Sequence, residues 1–135
     1  MIYKGKIAIW YIMIVVLYNV IPLFFIGNSI LVFIALLFYY LLGDAIMLPV
    51  LFRNRVEVQD DSFIVYFGFS KKQFLFKDIR QIDFTTNCIS ASACSLDRLY
   101  IDLKDQDIMI SLVENEKFVQ EVKNKNSNVK INKKI

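Results

Sequence analysis

Few side chains in this sequence could do chemistry. Its 135 residues contain no histidine, two cysteines and four glycines. Without an imidazole, neither a Ser-His nor a Cys-His nucleophile–base pair can be assembled. Nothing in the glycine spacing forms a loop that would cradle a phosphate. Cys88 and Cys94 lack zinc or redox spacing, so no metal set forms, and in a reducing compartment they are thiols filling core or loop positions. The acids Asp60-Asp61 and Asp102, Asp105 and Asp107 fall at turns and read as solvated loops. These residues argue for a non-enzymatic protein that needs no cofactor.

What remains are charges placed where charge is costly or clustered. Asp44 is a lone acid within a long apolar stretch. At membrane depth such a carboxylate marks an ion path or a partner contact, unless it lies in the inner headgroup zone within reach of Arg53 or water. Arg53 and Arg55 follow that stretch, and Lys71-Lys72 opens a later run. Together they form a thin basic cluster suited to a lipid surface or a partner. Arg98 offers a rigid fork for carboxylate or phosphate. Its plainer role is to pair across a sheet with Asp83 or Asp102.

The elements that position these groups follow from the charge distribution. Only Lys4, Lys6 and Asp44 are charged among the first 52 residues, so one part of the chain suits lipid and the rest suits water. Ile7 to Ile26 is free of charge and, as a helix, rises about 30 Å, enough to cross a hydrocarbon core. It is too long for a signal peptide and has no small-residue cleavage site. Pro22 predicts a kink, and Gly27-Asn28-Ser29 a turn. A second apolar run starts at Ile30, with Pro49 as its natural stop. The prediction is a transmembrane hairpin over residues 1–49, with helices at about 7–26 and 30–48. Its competitor is a single span followed by a buried helix. Lys4 and Lys6 precede the hairpin and Arg53 and Arg55 follow it, which predicts a cell-membrane protein with both termini cytoplasmic.

From residue 50 to 135 the periodicity changes to two. Arg55 to Val58, Phe63 to Phe67 and Gln73 to Phe76 read as strands, as does the stretch containing Ile82 and Phe84. The clearest alternation is in Arg98 to Lys104, where Leu99, Ile101 and Leu103 face one way. Asp105-Gln106 turns into Ile108, Ile110 and Leu112. Ser111 and Glu114 have capping-box spacing ahead of a helix whose stripe is Phe118, Val119 and Val122, and Asn124 to Asn128 ends it. From Lys123 onward there are five lysines and no acid, a basic tail. The net charge of +3 is too modest to indicate nucleic acid. The predicted fold is a membrane helical hairpin plus a bent antiparallel sheet, or open barrel, with one C-terminal helix.

Several stretches resemble a known family. Ile79-Arg80-Gln81-Ile82, Ser90 to Ser92 and Ser95-Leu96-Asp97-Arg98-Leu99 resemble the bacterial pleckstrin-homology-like (PH-like) domains of the YyaB type. So do Ile110-Ser111, Glu116-Lys117-Phe118 and Asn128-Val129-Lys130-Ile131. The resemblance covers about residues 53–131, with Ser-Leu-Asp-Arg its most specific element, and Leu112 stands where the family has proline. It implies a PH-like fold behind one or two membrane helices. Size and layout within the family resemble membrane-anchored bacteriocin immunity proteins. That implies a self-protection role, with the lipid bilayer and the cognate bacteriocin or its membrane target as partners. The other reading is a membrane-tethered interaction or lipid-sensing module.

Overall fold

Residues ahead of the first apolar run form a strand. In the computed structural model, which describes residues 1–27, 29–86 and 97–132, Ile2–Lys4 (β1) pairs antiparallel with Arg55–Val58 (β2). Cys88, Cys94, Ser90 to Ser92, Ser95, Leu96, Asn28, Lys133 and Lys134 lie outside the described residues. Tyr3 sits opposite Val56 and points into the core, where it is 4% exposed. The division at residue 49 is therefore corrected. The β-rich domain owns residues 2–4, and the helices are an insertion between two neighbouring strands.

Sheet one continues from β2 through Ser62–Phe67 (β3) to Ser70–Leu75 (β4), in the order β1-β2-β3-β4. Gly68 makes the tight β3–β4 turn with φ +57°, a left-handed conformation that costs a glycine nothing. Sheet two contains Ile79–Thr85 (β5), Arg98–Leu103 (β6), Asp107–Ile110 (β7) and Lys130–Asn132 (β8), in the order β7-β6-β5-β8. The segment after β1 joins the sheets. Gly5 N–H donates to Asn54 O at 2.8 Å, and Lys6 N–H donates to Ser111 O at 2.9 Å. In return Lys4 O accepts from Val113 N–H at 3.0 Å. A Cβ on Gly5 would lie 2.1 Å from the Asn54 side chain, so this seam requires glycine.

Asn115–Lys125 (α3) plugs the space between the sheets with the predicted stripe of Phe118, Val119 and Val122. Phe63 stands at the centre, its ring 5.4 Å from those of Phe74 and Phe76 and 5.7 Å from that of Phe118. Each such side chain, fully withdrawn from water, contributes about 1.5–3 kcal/mol. The capping box does not form, because Ser111 is held by Lys6 and its hydroxyl donates to Asp97 O. Asn115 Oδ1 instead accepts from Leu112 N–H at 2.9 Å, and α3 begins there. The basic tail is likewise shortened. Asn126 ends the helix, its amide donating to Phe76 O and Ile79 O, and the chain returns as β8 parallel to β5 with Val129 buried.

The insertion contains Ile9–Val20 (α1), a 3₁₀ segment Ile21–Phe25 with Pro22 in its first turn, and Ile30–Phe52 (α2). Among the described residues only α2 is long and apolar enough to cross a membrane; Ile9–Phe25 is a shorter apolar helix. Two boundaries change. At Pro22 the first helix passes into the tighter 3₁₀ form. Pro49 does not stop the second, because near a helix end it forfeits one bond while its carbonyl still accepts from Arg53 N–H at 2.8 Å.

Candidate functional site

The helices meet along a polar seam. Tyr11 Oη donates to Met47 O at 3.3 Å, Tyr18 Oη to Tyr39 O at 2.5 Å and Tyr40 Oη to Asn19 O at 2.9 Å. The Tyr18 and Tyr39 rings stack at 4.2 Å. Gly43 permits this approach, since a Cβ there would fall 1.9 Å from Tyr18 Oη. Asp44 belongs to the seam, because Asn19 Nδ2 donates to its Oδ1 at 3.1 Å and also to Val15 O. Its side chain thus bonds to the amide of the other helix and forms no ion pair with Arg53. With α2 running to Phe52, Asp44 lies about 12 Å from the helix end, deeper than a stop at Leu48 implied.

On its open side α2 borders a groove of about 780 Å³. Leu37, Leu41, Ala45, Leu48 and Phe52 run along it, Asp44 interrupts it, and Arg53 and Phe69 stand at its end. Phe52 and Phe69 are both largely exposed. Phe69 lies in the β3–β4 turn, whose Gly68 leaves room for Val50 of α2: a Cβ there would lie 3.1 Å from Val50 Cγ2. The turn thereby brings sheet one to the root of the hairpin.

Four strands carry a row of side chains across that end of the sheet. Lys4 is the register partner of Arg55, Arg55 of Tyr66, and Tyr66 of Lys71, so all four share one face. The Arg55 guanidinium lies 4.7 Å above the Tyr66 ring and Lys71 Nζ 5.6 Å from it, with Arg55 Nε also 2.8 Å from Glu57 Oε1. An aromatic ring between two cations holds their charges close together. Lys72 is exposed, but its register partner is Val65, so it belongs to the opposite face of β4.

Lys72 apart, the structure therefore groups the predicted residues in three places. Arg55 and Lys71 share the basic row; Asp44 and Arg53 line the groove that ends beside it; Arg98 is elsewhere. Arg98 is buried on β6 in the second sheet, with Thr85 as register partner rather than Asp83 or Asp102. Tyr66, Phe69, Asn19 and Gly43 were missed. Asn19 is the one amide in the first apolar run, a visible signal that could have been matched with Asp44.

A sequence model of the bacterial PH domain family matches residues 55–126, more than half of the chain. The match begins at β2 and ends just beyond α3, leaving the hairpin and β1 outside it. No curated protein and no solved structure matches.

Proposed function

The chain belongs to the bacterial PH domain family, and from that premise we propose a non-enzymatic bacteriocin immunity protein of the sublancin-immunity kind, anchored in the cell membrane by two spans. The observation that carries the anchoring is the pairing of Lys4 with Arg55. The apolar insertion leaves the sheet and returns to it at neighbouring strands, so it crosses a bilayer an even number of times. α2 rises about 35 Å. The first helix with its 3₁₀ extension rises about 28 Å, close to the roughly 30 Å of a hydrocarbon core, and supplies the return in this reading. Lys4, Lys6, Arg53 and Arg55 stand at the root and the far turn has no charge, which orients the domain to the cytoplasm.

The immunity role is supported by the resemblance carried by Asp97-Arg98-Leu99, Ile110-Ser111 and Glu116-Lys117-Phe118, and by the hairpin-plus-domain layout. The protein would act by binding the antimicrobial peptide, or by occupying its membrane target, through the hairpin and the adjoining face of sheet one. Expression in a sensitive strain tests this. Survival in the presence of the cognate bacteriocin is expected, and unchanged killing removes the proposal.

One observation favours a second reading. The Lys4–Arg55–Tyr66–Lys71 row and the exposed Phe69 lie at the hairpin root, where a lipid-sensing module would meet anionic headgroups. In full-length protein reconstituted with labelled anionic lipid, this reading expects lipid enrichment around the wild type and its loss in the Arg55→Glu/Lys71→Glu variant. Equal enrichment counts against it.

A further inference from the structure

We propose that the open face of α2 is a docking seat for a membrane-spanning helix that carries one lysine or arginine at the depth of Asp44. This deepens the reading above by naming the class of partner, and it rests on the hairpin being in the membrane.

The spacing of the groove residues is the first argument. Leu37, Leu41, Asp44, Leu48 and Phe52 are separated by four, three, four and four positions, which places them on one stripe of the helix. That is the pattern by which one helix accepts another along its length. Ala45 adds a small side chain at the centre of the stripe, where close approach is easiest. Most of the face is not used within the molecule: no α2 residue is buried, and of the groove residues only Asp44 and Tyr40, at its edge, bond to α1, both through Asn19.

Charge decides what the occupant must be. Asp44 is the sole ionisable acid between Lys6 and Glu57, and it lines the groove while its Oδ1 accepts from Asn19. One amide hydrogen bond does not offset the removal of a carboxylate from water. No described residue forms an ion pair with Asp44. Arg53, the cation at the mouth of the same groove, is nine residues further along the helix, about 13 Å away in rise. A basic side chain on an incoming helix supplies the missing charge. A lipid tail offers no such group, and a second copy of this hairpin offers no cation between Lys6 and Arg53.

The full chain in proteoliposomes provides the test, with a synthetic leucine–alanine transmembrane peptide as probe. One peptide carries a lysine about eight residues from its end, matching the depth of Asp44; the control has leucine there. Trp10, the single tryptophan, lies at the root end of α1 and serves as energy-transfer donor to a dansyl group on the same end of the peptide. The lysine peptide should associate about tenfold more tightly than the leucine peptide, and Asp44→Asn should abolish that preference. Asparagine keeps an oxygen for Asn19, so the hairpin is retained in that variant. Ala45→Phe, which leaves Asp44 in place and fills the groove, should weaken the lysine peptide as well. Equal association of the two peptides would overturn the proposal in favour of a lipid-facing surface. A preference that survives Asp44→Asn would overturn it too, as would pairing of the chain with itself that excludes both peptides. The assay contains no bacteriocin, so its failure is distinct from a failure to protect cells.

Discussion

In the two-sheet barrel, Phe63 and Phe118 meet at the centre and, Arg98 apart, no described charged side chain is buried. In the hairpin the arrangement is reversed: Leu41, Leu42 and Phe38 face outward, while Tyr18, Asn19, Tyr40 and Asp44 meet between the helices. Each half places at its interior the groups its surroundings accept least. Water expels the phenylalanines. A hydrocarbon solvent gives the tyrosines and the amide no partner except the facing helix, so polar bonds define which faces of α1 and α2 meet. The chain thus teaches a rule about solvent rather than about residue type, and it holds only if the hairpin is in a bilayer.

That condition is the first way to break the comparison, and its outcome is all or none. In a chain with Cys88 and Cys94 replaced by serine, a cysteine at Ser29 should react with a membrane-impermeant thiol reagent added to whole cells. A cysteine at Asp61, in the turn ahead of β3, should react only after lysis. Reaction of both from outside, or of neither, would remove the two-span arrangement and with it the inside-out account of the hairpin.

Next in size is a truncation on each side. Phe118→Ala opens a cavity in the barrel beneath α3 and should destabilise it by about 3–5 kcal/mol, measured by urea unfolding of the reconstituted protein. Leu41→Ala removes a side chain 72% exposed on α2 and should change stability by less than about 0.5 kcal/mol. If Leu41→Ala is as damaging as Phe118→Ala, the outward apolar face of the hairpin is packed against protein in the resting state.

A substitution at Gly43 sharpens the hairpin half. Gly43→Val places methyl groups where Tyr18 Oη now lies, so Tyr18 must release Tyr39 O and the helices must part. The expected cost is about 1–3 kcal/mol, together with a longer distance between spin labels at the exposed Ile12 and Leu42. An unchanged distance would mean that the seam is not what sets the separation.

The comparison also explains what could be read from the sequence. The alternation of Arg98 to Leu103, the stripe on α3 and the second apolar run are local patterns, and each became the element it suggested, whereas the first run became a shorter helix, Ile9–Val20, with a 3₁₀ end. β1 was hidden, because three residues carry no periodicity and their partners stand more than fifty positions away. β8 was hidden in a similar way, three residues whose partners stand 49 positions earlier, inside what composition marked as a tail. In the site, Arg55, Lys71 and Asp44 were visible as charges, but Tyr66 and Asn19 acquire their roles only through strand register and helix pairing. Arg98 misled because a strand-borne arginine with acids nearby looks like a surface pair, whereas here it is 5% exposed.

A smaller loss than at Gly43 is expected at Tyr3, whose hydroxyl serves in the barrel the purpose that Tyr18 and Tyr40 serve in the hairpin. Its Oη donates to Glu121 at 2.5 Å and its ring lies edge-on to Phe118 at 5.5 Å, tying β1 to α3. Burial, then the Glu121 carboxylate, pushes the phenol from 10.0 up to about 12. A raised pKa means that the fold favours the protonated phenol. Its contribution is therefore complete below pH 10 and is lost as pH rises through about 12. Tyr3→Phe should cost about 1 kcal/mol near neutrality through the lost hydrogen bond. The gap between variant and wild type, followed by unfolding at successive pH values, should then close across that alkaline window. A gap that stays constant to pH 12 would mean that the phenol is not a protonated donor in the fold. The seal between β1 and the helix would then rest on the ring alone, and the barrel would have no counterpart to the hydroxyls that join α1 and α2.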